Sequence, residues 1–460
     1  MKKRIVYILT SLSLILLMPS LVYPQHDLSL YNLSHIPQRI NQNPAFIPEK
    51  DYFGIPLLSG IHLANANPFS YNDILVKGNN DSTSIEIGNL INKISKNDHI
   101  RLYTDLDLLS FGFKIDHGRY YLNFSLRERI SQDIFIPENL CYLMWNGNAA
   151  PEIFAKQVNV SPRVNASVYA EYGLTFSGYA LEKKLTYGVR LKYLAGRFNI
   201  TTNKSVFEIF TDSNDYRILL KSDIEVQTSG IDDLDTYLDQ KIGSLLFPGN
   251  HGFGIDLGLN YQINENINVN ASVLDLGFIK WRTRNLSLVS EEPGKEFEFE
   301  GYKLKDFINF LNDFDSTGKD LSDSISDYLK IDNVYDVKYK SNLPVRFNIG
   351  GTYTLNDQHH FNLLINGISW NHEFIPALSL SYYYNLKRFL GLMVSYNIFN
   401  RQYTNFGGGI SINGGPIHLY IVSDNIPGLI FYKGTNNTSI QFGLNIFLDW
   451  KEKKVFGEFN

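Results

Sequence analysis

The sequence predicts an all-β fold, a transmembrane antiparallel β-barrel of about fourteen strands with an N-terminal plug-like segment and short helices in its loops. Three observations predict it. Side chains alternate between apolar and polar with a period of two over many runs, Phe, Tyr and Trp make up 14% of the chain, and beyond the leader no apolar stretch is long enough for a membrane helix.

The chain of 460 residues begins with Lys2, Lys3 and Arg4, an apolar run from Ile5 to Met18, and Pro19. Residues 1–25 therefore read as a secretory signal peptide, because the run is too short to span a bilayer and no basic stop-transfer cluster follows it. Export of this kind is expected of a Gram-negative outer-membrane protein. The formal charge of −5 becomes more negative once the three leader cations are removed, and no basic tract remains to hold nucleic acid. A single cysteine, Cys141, excludes an intramolecular disulfide and a zinc–thiolate cluster.

The barrel is assigned to residues 106–450. Tyr187, Val189, Leu191 and Tyr193 alternate with Gly188, Arg190 and Lys192, which places the two cations on the interior face, since a lipid face would not accept them. Ile255, Leu257, Leu259 and Tyr261 alternate with Asp256, Gly258 and Asn260. The turn Asn264-Glu265-Asn266 then joins this run to Ile267–Val273. Val345, Phe347, Ile349 and Tyr353 oppose Arg346, Asn348 and Thr352. Arg190, Lys192, Asp256 and Arg346 are thus expected to face the lumen, either lining a path or pinning a plug through ion pairs. Further strands are read at 109–115, 122–126, 164–176, 218–226, 361–365, 378–384, 390–396, 406–412, 417–421 and 440–450, in a meander that closure into a barrel leaves without edges. Residues 451–460 read as a polar tail.

Residues 26–105 lack sustained alternation and carry Pro44, Pro48, Pro56 and Pro68, which argue against central strands. This segment reads as a plug inside the barrel or as an irregular periplasmic extension, with Asn43, Pro44, Ala45 and Phe46 as the plug motif. Residues 302–330 have helical spacing and form a predicted loop insert. Shorter helical inserts are expected at 136–157 and 231–247.

No catalytic, nucleotide-binding or cofactor motif is present, and the reading is of a protein that is not an enzyme. Asp313, Asp315, Thr317 and Gly318 reproduce half of a calcium loop, but Ser324 stands where a bidentate Glu is required, so no metal site is assigned. His359 and His360 read as a solvated turn.

Several stretches resemble an uncharacterised outer-membrane barrel family, a domain of unknown function of Bacteroidetes-type bacteria. They are Asn43–Phe46, Ser70-Tyr71-Asn72-Asp73, Leu274-Asp275-Leu276-Gly277-Phe278-Ile279-Lys280-Trp281, Leu343–Gly350 and Leu419–Asn425. The resemblance implies a barrel distantly like the fatty-acid-transporter type, with an N-terminal segment that occludes the lumen, and it carries over no binding residues. Two functions follow as expectations. One is passive transport of a hydrophobic or amphipathic small molecule. The other is a structural or docking role in a cell-surface assembly such as secretion or gliding machinery. The expected partners are outer-membrane lipid, a lipophilic ligand and a surface protein.

Overall fold

The computed structural model describes residues 28–77, 83–85, 88, 99–230, 249–299, 331–370, 373–386, 389–399 and 402–448. The leader, the inserts at 231–247 and 302–330 with the half calcium loop, and the tail at 451–460 lie outside the described residues.

Fourteen antiparallel strands close into a barrel. The first, β1, has two segments, Asp51–Gly54 and Ile61–Ala66. β2 (His99–Ile115), β3 (Tyr120–Phe135), β4 (Arg163–Ala180) and β5 (Leu185–Thr211) follow as long meander strands. β6 (Asn250–Gln262), β7 (Ile267–Trp281), β8 (Val345–Asn356), β9 (His359–Trp370) and β10 (Glu373–Leu386) continue the wall. β11 (Leu390–Phe399), β12 (Gln402–Gly414), β13 (Ile417–Ser423) and β14 (Asn437–Leu448) complete it. β1 pairs with β2 on one side and β14 on the other, which removes the sheet edge.

Alternation explains which face is which. On β8, Phe347, Ile349, Tyr353 and Leu355 are exposed, while Arg346 and Asn348 are buried in the interior. Tight turns at 116–119, 181–184, 263–266 and 415–416 share one end of the barrel, and the long connections leave from the other. One of those connections carries the helix α2, Glu138–Asn146, within the expected 136–157 insert. The short helix α1, Leu28–Asn32, and the 3-10 turn Pro37–Asn41 belong to a segment folded inside the barrel. Leu28, Leu30, Leu33, Ile36 and Ile40 of this segment are no more than 2% exposed, packed against inward residues such as Tyr383, Met393, Tyr420 and Phe399. Each such burial is worth about 1.5–3 kcal/mol, so the segment is held as a core element.

Two parts of the sequence reading need correction. The plug does not extend over 26–105, because the wall begins at Asp51 and β2 begins at His99. Pro56 argues against a central strand, yet it falls in an interruption at 55–60, where Leu57 takes φ +65° and the ladder to β14 continues through Ile55 N to Leu444 O and Leu444 N to Leu58 O. Gly443 allows this close approach, since a Cβ there would lie 2.1 Å from Ser59 O. The run at 218–226 does form a strand, Ile218–Ser229, but it is not part of the membrane wall. β5 pairs with β6 over residues 185–196 and with Ile218–Ser229 only beyond them, at 199–211. That upper sheet is extended by Asn285–Ser290, Glu296–Phe299 and Ile331–Tyr335. The expected strand number stands because one missed strand and one misplaced strand offset each other.

Candidate functional site

The lumen is crossed by a charged belt to which the plug is fastened. Arg127 and Arg129 of β3, Arg190 and Lys192 of β5, and Arg346 of β8 are interleaved with Asp105 and Asp107 of β2, Glu171 of β4, Asp256 of β6 and Asp275 of β7; all ten are buried. Glu171 receives Arg127 at 2.7 Å, Arg190 at 2.9 Å and Arg129 at 3.0 Å. Asp275 receives Lys192 at 2.6 Å, Arg129 at 2.7 Å and Arg346 at 2.8 Å. Lys192 also lies 2.7 Å from Asp256. Five basic and five acidic side chains are thereby brought together away from bulk solvent, and pairing of this kind is the condition under which buried ions are tolerated.

The local backbone makes Asp275 the hub. The pairing of β6 with β7 shifts register between Ile255 and Leu257, and Asp275 takes φ +62° opposite that bulge, its N–H donating to Asp256 Oδ1 at 2.7 Å. A bulge re-aims a side chain, and here it turns Asp275 into the lumen although Leu276, the next residue, faces outward.

Two belt cations also hold the plug. Arg190 Nη1 donates to Asn41 Oδ1, and Arg346 Nη1 donates to Gln42 Oε1 at 3.2 Å. The Gln42 carbonyl accepts from Ser272 at 2.8 Å and from Asn348 at 3.2 Å. Asn43 Nδ2 reaches the carbonyls of Leu259 and Ala271, both at 3.3 Å, while its Oδ1 accepts from Ala45 N. Pro44 O accepts from Ser177 at 2.6 Å. This backbone lies directly on the paired glycines Gly188 and Gly258, where a Cβ would come within 2.1 Å of Pro44 O and of Asn43 Oδ1 respectively. Ala45 is 1% exposed. Phe46 closes the segment on itself, with the Arg39 guanidinium 4.2 Å over its ring and Tyr31 edge-on at 5.0 Å. Burial pushes the Arg39 guanidinium down to about 10, so it is still a cation at neutral pH.

Solvent-sized spaces lie on both sides of this seal. At the short-turn end a cavity of about 400 Å³ is lined by plug residues Arg39 and Phe46 and by Asn260, Asn268, Thr352 and His360 of the wall. At the other end a cavity of about 200 Å³ is lined by His99, Asp133, Phe135, Arg163, Thr201 and Glu373. There His99 bridges Asp133 at 2.5 Å and Glu373 at 3.1 Å, and Arg101 contacts the same two carboxylates.

Of the residues singled out in the sequence, Arg190, Lys192, Asp256 and Arg346 meet in the belt, and Asn43–Phe46 meets the wall beside them. Absent from the lumen-facing residues read in the sequence are Arg127, Arg129, Glu171 and Asp275, together with Asp105 and Asp107, which precede the strand read at 109–115. The first three were within reach of the same test, since they occupy the inward phase of strands whose outward phase is Leu122, Phe124 and Leu126 or Leu174 and Phe176. Asp275 was not, because the bulge breaks the alternation there. His359 and His360 start β9 as half-buried residues, and His359 Nδ1 lies 2.7 Å from the Tyr382 hydroxyl.

No curated protein matches the chain. Among solved structures the fold is similar to the toluene transporter TbuX of Ralstonia pickettii, at 12% identity and TM-score 0.39 over 89% of this chain and 92% of that one. It is also similar to the toluene transporter TodX of Pseudomonas putida, at 10% identity and TM-score 0.39 over 93% and 94%. A third is a FadL homologue of Pseudomonas aeruginosa, at 10% identity and TM-score 0.37 over 87% and 90%. The match that decides membership runs over residues 44–424, from Pro44 in the plug motif through the wall as far as the end of β13, and by it the chain belongs to the family of unknown function DUF5723.

Proposed function

We propose that the protein is an outer-membrane barrel that passes a small amphipathic molecule when its plug moves. The observation that carries this reading is the plug itself, a folded segment seated between two solvent-accessible cavities and fastened mainly by side chains. Had the wall alone filled the lumen, no separable element would stand in the path. Both cavities are lined with Asn, Thr, His and charged groups as well as Phe46, Phe135 and Tyr383, a mixture that suits an amphipathic solute better than a bare hydrocarbon. The test compares single-channel conductance of the refolded protein with that of a variant lacking residues 26–50. A closed parent and a conducting truncation support the reading, and two closed, folded barrels sink it.

The upper sheet favours a second reading, docking of a surface protein. Its strand Ile331–Tyr335 carries exposed Val334 and Tyr335 beyond the membrane wall. Cross-linking in the native host that captures one surface protein through this strand would favour docking over passage.

A further inference from the structure

The outward face of β6, β7 and the strand leading into β8 changes character at a single height. On β7 the outward residues run Ile267, Val269, Leu276 and Phe278, and the next two outward positions are Lys280 and Arg282. The segment Tyr339–Asn342 pairs with this end of β7, and its outward residue Lys340 stands directly opposite Lys280. Lys338 is exposed two residues before it, and His251 of β6 is opposite Lys280 on the other side. The inward residues between them, Ile279, Trp281 and Tyr339, are packed together inside the barrel, so the cations have no route to the lumen.

Like charges directly opposite on neighbouring strands are destabilising unless something neutralises them. Among the described residues none of Lys280, Arg282, Lys338 and Lys340 forms an ion pair. The ammonium groups of Lys340 and Lys280 instead gather at one aromatic ring, 4.2 and 5.6 Å from the centre of Phe278. At the same rim other outward positions are aromatic, as at Phe374 and Tyr403, so the cationic patch is local to one sector.

The height identifies the occupant. The apolar outward run from Ile267 to Phe278 covers roughly 30 Å along the membrane normal for a strand tilted by about 40°, close to the thickness of a bilayer core. Lys280 and Lys340 therefore lie one step beyond the hydrocarbon, where lipid phosphates lie. The inference rests on the reading of the chain as an outer-membrane barrel, whose short turns face the periplasm and whose long connections face outward. We infer that Lys280 and Lys340, flanked by Arg282, Lys338 and His251, form a binding site for the phosphate of an anionic lipid headgroup in the outer leaflet.

The experiment titrates the full-length protein in neutral detergent with phosphatidylglycerol and with phosphorylated lipid A, counting bound lipid by native mass spectrometry. The K280Q/K340Q variant is compared with parent protein and with K183Q/K184Q, which removes the same charge at the short-turn end. Each cation near a charged membrane surface contributes about a factor of five, so K280Q/K340Q is expected to bind either lipid about 25-fold more weakly, with the control unchanged. Heat unfolding separates recognition from folding. K280Q/K340Q should be no less stable than parent in neutral detergent and should lose the extra stability that parent gains from the anionic lipid. Equal lipid binding by parent and K280Q/K340Q overturns the inference. So does competition by inorganic phosphate as strong as that by the lipid, which would make the patch a general anion site. Solute uptake is not read in any arm, so failure here is distinguishable from failure of the transport reading.

Discussion

Asp275 joins three strands of the interior, since cations from β3, β5 and β8 share its carboxylate while its own backbone is held at φ +62°. Asn tolerates that backbone region, so Asp275→Asn removes the charge and keeps the shape. Removing one partner of a buried ion cluster costs about 3–5 kcal/mol, and the variant barrel should unfold at lower urea, read by its electrophoretic shift between folded and unfolded forms. An unchanged midpoint would mean that the belt contributes little to stability. Gly188 tests the other attachment. Its missing Cβ makes room for the Pro44 backbone, which has no flexible end to give way, so Gly188→Val should displace the plug while β5 keeps its register. The expected readout is increased solute leakage through a barrel that still resists heat. At this scale Arg190, Lys192, Asp256 and Arg346 were legible, because a charge in the inward phase of an apolar strand has only the lumen to face. The role of Gly188 was not, since a glycine in that phase reads the same whether it meets water or a plug.

Among the elements, β1 shows where alternation stops being informative. Each of its segments is shorter than seven residues, and its single proline, Pro56, belongs to the interruption between them rather than to the ladder. Only its pairing with both β2 and β14 reveals it as wall. A deletion of residues 26–50 should therefore leave a folded barrel, whereas deletion of 26–66 should leave β2 and β14 as open edges and give protein that aggregates on refolding. Light scattering after refolding distinguishes the two. The strand Ile218–Ser229 is the converse case. It alternates well enough to be counted, but no local pattern tells whether a strand's neighbour lies in the membrane or above it. β6 to β14 were each legible at their centres, though β7 only as far as Val273 and β9 only over 361–365, because short turns and two distinct solvents, lipid outside and polar groups inside, act on their residues.

On the proposed reading, in the whole molecule wall and plug make a closed state whose fastenings are mostly interior, so bulk salt should not open it, because buried pairs are weakly screened. The plug must move as a body for a solute to pass, and one contact offers a way to stop that motion. Ser29 in α1 and Ser395 in β11 approach with their hydroxyl oxygens 3.1 Å apart, so cysteines at the same positions would need to close by only about 1 Å to reach the bonded sulfur separation of about 2 Å. Ser29→Cys with Ser395→Cys, in a Cys141→Ser background, should form that bond under oxidation and tie the plug to the wall. In liposomes the oxidised protein should then take up no amphipathic solute, and reduction should restore the rate of the parent. The same pair in a variant carrying Gly188→Val should suppress the leak that the single change produces. Uptake that persists at the parent rate while the bond is intact would show that the path bypasses α1, and the gate would then have to be sought in the remainder of the plug, from Pro37 to Phe46.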